Sequence, residues 1–349
     1  MTKSELLALL DLKQPLLEQE FNELDLTDVD LTHAVFNKCR FNRCQMTACD
    51  LSNTIFAACD LSTQDINNAI FSNTTFNNCD MPHRDFQNVK LASVSFVDCN
   101  LSNSQFSDCD ITRCAFVKSK LIECTWHKNN VSETAFTENE IVKNHWRGCS
   151  FQSFTLANTH FADSVIADCS FKMGVFIECC FDGLPINLNH WNLCTMNKSS
   201  FNHCEFEQAQ LPQCNFSECE FTLANFAKAN LTQSIFQLAS LSDCNFEQSQ
   251  LEQSNFNQAN LFNCKFNDSQ LKQVMFAKAQ FKQCELRNND CEMSNFSDAT
   301  FFDSVISGND FSWADWHQIA FNDCQLRANK TKTTRNTDPA RLEAEGAHL

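Results

Sequence analysis

Stepping by five from Phe21, the chain meets an apolar residue every time: Phe21, Leu26, Leu31, Phe36, Phe41, Met46, Leu51, Phe56, and so on to Phe311, Trp316, Phe321 and Leu326. That makes 62 consecutive positions without one polar residue. Helices repeat near 3.6 and strands at 2, so neither alone explains a period of five. A fixed internal period marks a repeat architecture. Around each large residue, here called i, position i−2 is small and the other three are polar, as in Cys-Asp-Leu-Ser-Asn (49–53) and Ala-Asn-Leu-Thr-Gln (229–233).

This unit resembles the A(D/N)LXX motif of the pentapeptide-repeat family, over 306 of the 349 residues. The resemblance implies an all-β fold, a right-handed quadrilateral β-helix in which four pentapeptides make one coil and both i and i−2 point inward. Sixty-two units then give about 15 coils, a rod on the order of 75 Å long at the usual strand spacing. Three segments are expected: an N-terminal capping helix in 1–20, the repeat solenoid over 21–326, and a flexible tail over 327–349. The helix reads as 4–18, with Ser4 as N-cap. In the tail, Asp338 and Pro339 suit the start of a short helix.

At spacing twenty, one face runs Phe36, Phe56, Phe76, Phe96, Phe116 and Phe136, and resumes as Phe216 through Phe296, a ladder suited to ring stacking. Phe154 fills a small-residue slot, and Gly174 follows it twenty later. The least regular part is 124–191, with Trp126, Trp146 and Trp191 at i and Asn129, Asn139, Asn144 and Asn189 at i−2. Gln64 and Arg84 also fit an interior poorly. An unpaired buried Arg is too costly, so a bulge or an outward Arg84 is expected.

Twenty of the 22 cysteines occupy the i−2 slot; Cys180 and Cys291 are the exceptions. Ala34, Thr54, Ser104 and Ala224 share that slot, so it selects small volume, and the thiols read as buried packing rather than disulfides or zinc ligands. No metal or cofactor is expected. A formal charge of −17 argues against direct nucleic-acid binding. No apolar run is long enough for a membrane span, and the acidic N-terminus lacks a signal-peptide pattern, which points to the cytoplasm. No nucleotide, hydrolase or metalloprotease motif occurs. His33, His83, His127, His145, His160, His190, His203 and His317 fall at outward positions and do not cluster. The chain is not expected to be an enzyme.

Sorted by the four edges of the square, the surface is uneven. One edge collects Glu23, Asp25, Asp65, Asp85, Glu123, Asp163, Glu205, Asp243, Glu285, Asp303 and Asp323, against Arg43, Lys143 and Lys265. The diagonally opposite edge presents Val35, Ile55, Met173, Val175, Leu193, Ile235, Met275, Met293 and Trp313, with only Arg113, Glu133 and Asp315 charged. The neutral edge is the candidate protein contact.

Two functions follow from pattern and resemblance. The first is a non-catalytic interaction rod, a scaffold or adaptor for a protein partner. Its opening, with Leu24-Asp25-Leu26 and Val29-Asp30-Leu31, is similar to members encoded beside bacterial secretion systems. The second is DNA mimicry: some family members bind DNA gyrase and inhibit it or protect it from quinolones, and the acidic edge is compatible with that. Self-association as a homodimer stays open beside both.

Overall fold

Twenty residues close one coil, because each strand residue pairs in parallel with the residue twenty further on. Phe36 pairs with Phe56, Phe56 with Phe76, and Phe76 with Phe96. The computed structural model describes residues 2–64, 66, 68–161 and 163–344, with Leu188 described by its backbone alone. It is a right-handed quadrilateral β-helix of about 15 coils, in two compact units, Met1–Val175 and Phe176–Leu349.

A side of the square is only three or four residues long, so the chain must turn at every fifth. It does so at i+2, where the backbone is left-handed: φ is 61° at His33, 60° at Asn53 and 59° at Gln233. Asn and Asp tolerate this conformation better than other non-glycine residues and fill corners such as Asn53 and Asp243, but most corners carry other residues, Glu23 and Lys38 among them. Where a corner is tight, the i−2 N–H donates back to the carbonyl of the preceding i, as Ala34 does to Leu31 at 3.2 Å and Ala239 to Phe236 at 3.1 Å.

Elsewhere that N–H is met from the next coil, and this accounts for the interior asparagines. Asn129 Oδ1 accepts the Cys109 N–H at 2.9 Å, and its Nδ2 donates to the Phe106 carbonyl at 2.8 Å. Asn139 and Asn144 do the same two and three sides further on. The slot is small, but an amide fits when both its ends replace backbone partners. Near Gly183 the coil departs from this pattern, and Ile186–Leu188 forms a 3-10 turn.

In the first unit, Phe36, Phe56, Phe76, Phe96, Phe116 and Phe136 stack at 4.8–5.2 Å between ring centroids. A second ladder beside it runs Phe86, Phe106, Trp126 and Trp146 at 4.0–4.8 Å. In the second unit the ladders Phe216 to Phe296 and Phe206 to Phe266 meet edge-on, as Phe246 meets Phe256 at 5.9 Å and 82°. Stacking along a ladder and edge-to-face contact across it are the two favoured aromatic geometries. Phe154 stays inside, against Phe151 and Phe171.

Three expectations need correction. The helix α1 spans Lys3–Asp11, not 4–18, and its N-cap is Thr2, not Ser4. Thr2 Oγ1 accepts the Glu5 N–H while Glu5 Oε2 accepts the Thr2 N–H at 2.7 Å. That reciprocal box needs an acid three residues on, which Thr2 has and Ser4 lacks. The coil ladder already begins at Leu16, paired with Phe36, so the solenoid starts ahead of Phe21.

Arg84 neither turns outward nor bulges. It is 8 % exposed, and its guanidinium donates to the carbonyls of Pro82 at 3.0 Å, Ser62 at 2.7 Å and Gln64. The fork of five donors reaches two carbonyls of the coil below and one of its own coil.

The segment after Leu326 is not a loose tail. Lys330 pairs with Asp310 and Arg335 with Asp315, which adds another partial coil, and the helix α2 follows at Pro339–Ala344. A strand edge recruits any backbone, so this coil forms without apolar side chains. Its thin interior leaves Leu326 43 % exposed.

Candidate interaction surface

Backbone alternation fixes what each unit shows to solvent: i and i−2 are buried, and i+2 with the next i−1 form the corners. The acidic corner is less bare than its composition suggests. Arg43 lies 3.9 Å from Glu23, Lys143 3.6 Å from Glu123, and Arg287 3.0 Å from Glu285. Amides on neighbouring coils donate to other members: Asn263 to Asp243 at 2.6 Å, Asn225 to Glu205 at 3.1 Å and Gln283 to Asp303 at 3.2 Å. Asp25 is held below the usual carboxylate range by the side chain and N–H of Thr27. Asp85, Asp163 and Asp323 are exposed, and Asp65 lies outside the described residues.

The neutral corner differs between the two units. In Met1–Val175, Ile55 and Met173 are exposed while Val35 and Val175 are half-buried, and Arg113 and Glu133 interrupt them. In Phe176–Leu349, Leu193, Met275, Met293 and Trp313 are exposed, Ile235 is half-buried, and nothing between Leu193 and Asn295 on that corner is charged.

Between these residues runs a feature that sorting by charge and apolarity passes over. Gln213 Nε2 donates to Gln233 Oε1 at 2.9 Å, Gln233 to Gln253 at 2.7 Å, and Gln253 to Gln273 at 2.9 Å. Gln273 Nε2 then reaches Met293 Sδ at 3.7 Å. The recurrence of Gln at spacing twenty was visible in the chain, but its amide ladder depends on coils stacking in register. Outward aromatics at i+1 were also missed: Phe262 and Phe302 are exposed, with Lys282 Nζ 5.8 Å from the Phe262 ring centre.

His317 is the one histidine that departs from its expected place. It is buried because the following chain folds over it: the Asp338 N–H donates to Nδ1 at 3.1 Å, and Arg341 on α2 reaches Asp315 at 3.3 Å.

The thiols sit where small volume is needed. All but Cys180 and Cys324 are buried, and burial pushes Cys49, Cys114 and Cys124 up to about 11 and Cys204 and Cys219 up to about 12. Among the described residues no His, Cys, Asp and Glu gather into a metal-binding group, and no helix is long and apolar enough to cross a membrane.

Two family models match the chain: a pentapeptide repeat region at 52–126, 69–146 and 188–276, and pentapeptide repeats in eight copies at 25–62 and 264–303. The first alone covers more than half of the residues. No curated protein sequence matches. Among solved structures, the chain is similar to a trypsin-treated form of QnrB1, a plasmid-mediated fluoroquinolone resistance protein, at 20 % identity over 56 % of this chain and 97 % of that one, with a TM-score of 0.33. It is also similar to HetL, involved in heterocyst differentiation regulation in the cyanobacterium Nostoc, at 13 % identity over 74 % and 91 %, with a TM-score of 0.20. A third is Rfr23 from the cyanobacterium Cyanothece, at 13 % identity over 42 % and 89 %, with a TM-score of 0.22.

Proposed function

The chain belongs to the pentapeptide-repeat family, and on that premise we propose that it is a non-catalytic interaction module, a cytoplasmic scaffold or adaptor that takes a protein partner along its uncharged corner. One observation carries this reading. Leu193, Met275, Met293 and Trp313 stand exposed on a corner that carries no charged residue between Leu193 and Asn295. Aromatic and Met side chains are also enriched at protein interfaces.

The experiment is capture with the full chain as bait, comparing wild type with Leu193→Asp and Trp313→Asp. Loss of the same captured protein in both variants, with unfolding unchanged, supports the reading. Capture that survives both refutes it. The second reading, a DNA mimic acting on gyrase, draws on the net charge of −17. The cross-coil ion pairs on the acidic corner weaken it, since they offset the charge that a mimic would display. A supercoiling assay tests it: no inhibition and no protection from quinolones removes it.

A further inference from the structure

Along the uncharged corner of Phe176–Leu349 four of six residue pairs correspond in reverse order, the exceptions being Gln213 against Met293 and Thr195 against Asp315. Counting coils away from Asn255, Ile235 on one side answers Met275 on the other, and Asn215 answers Asn295. Along the parallel column, Gln233 answers Gln273 about Gln253, and three coils out Leu193 answers Trp313. The adjoining outward positions continue the symmetry, with Ser217 against Ser297 about Asn257. A surface that repeats itself in reverse is what an isologous contact requires, because a two-fold axis brings residue x of one copy onto residue y of the other, and y onto x.

We infer that this strip pairs two copies of this chain, antiparallel, about a two-fold axis at Asn255. The inference rests on the reading that the uncharged corner is a protein contact, and it names the partner. Charge argues for a second copy. Each chain carries −17, so two copies repel along acidic surfaces, and in this unit the strip is where they can meet without like charges opposed. Hydrogen bonding argues the same way. The ladder from Gln213 to Gln273 uses one N–H and one lone pair of each interior amide, which leaves a donor and an acceptor per amide for an identical ladder. The coil pitch is common to both copies, so the two ladders stay in step along the contact. Leu193 and Trp313, both exposed, close the two ends with an apolar pair each. Six coil steps at about 4.8 Å give a strip roughly 29 Å long. At about 10 Å wide a contact of that length buries roughly 600 Å² over both copies, less than a standard interface, so a weak and reversible pairing is expected.

Light scattering on the full chain tests this without any foreign partner. The expected mass approaches twice 39.8 kDa as concentration rises. Ile235→Lys alone and Met275→Glu alone should each leave a monomer with unchanged thermal unfolding. The double variant should restore the dimer, now sensitive to salt, because each lysine then faces a glutamate across the axis. A chain still monomeric at about 1 mM, where even a weak pair is substantially formed, overturns the inference. So does a dimer that survives either single change, or a double variant that stays monomeric. If the chain is monomeric yet Leu193→Asp still loses a captured protein, the pairing is wrong and the interaction reading stands.

Discussion

Replacing Phe256 by Ala tests whether the ring ladder, rather than the backbone alone, holds neighbouring coils together. Phe256 is fully buried, stacked on Phe236 at 4.6 Å and on Phe276 at 5.2 Å, and edge-on to Phe246 at 5.9 Å and Phe266 at 6.0 Å. Truncating a buried Phe costs about 3–5 kcal/mol, from lost burial and the cavity that remains. Phe256→Leu keeps most of the apolar volume but loses both stacked pairs, each worth about 0.5–1.5 kcal/mol, so about 1–3 kcal/mol is expected. Stability in a solenoid is close to a sum of nearest-neighbour terms. Urea unfolding should therefore show a lower midpoint in the order wild type, Leu, Ala. Amide exchange should rise mainly in the coils around Phe236, Phe256 and Phe276. The reasoning fails if the Ala variant lies within about 1 kcal/mol of wild type, the lower bound for such truncations being far above that. It also fails if protection is lost equally near Phe201.

Two further outcomes follow from the buried and charged groups. In the native protein a maleimide should label only Cys180 and Cys324 quickly, since the other 20 of the 22 thiols are buried and burial disfavours the thiolate; mass spectrometry showing rapid labelling of Cys204 or Cys219 would contradict the packing. Asp310, 2.8 Å from Lys330 and bonded to Ser312, is held down to about 2 from an ordinary 3.8. Its folded value is the lower one, so its contribution is full above the unfolded value and disappears as pH falls through about 2. Because the pair is partly exposed, Asp310→Asn should cost about 0.2–1 kcal/mol near neutral pH. That gap should close in acid; a gap undiminished at the acid limit would rule out the pairing.

The five-residue register determined which residues face inward, from Leu26 to Phe311, and therefore the cysteine slots and the Phe ladder. It could do so alone because side-chain direction follows from position within the unit, a local property. The neutral corner was likewise legible as a column of exposed positions. What became of the exceptions was decided twenty residues away. Arg84 stays inside because the coil below offers the carbonyls of Ser62 and Gln64 beside that of its own Pro82, and Asn129 is at home because its amide meets the Cys109 N–H and the Phe106 carbonyl. His317 is buried by a segment that the register does not include. The chain past Leu326 is ordered by an open strand edge, not by its own composition. The Gln ladder and the reversible order of residues about Asn255 become a surface only once coils stack at a fixed spacing. Hydrogen bonds between coils are set by that stacking, so the tertiary structure alone could show which polar residues had partners.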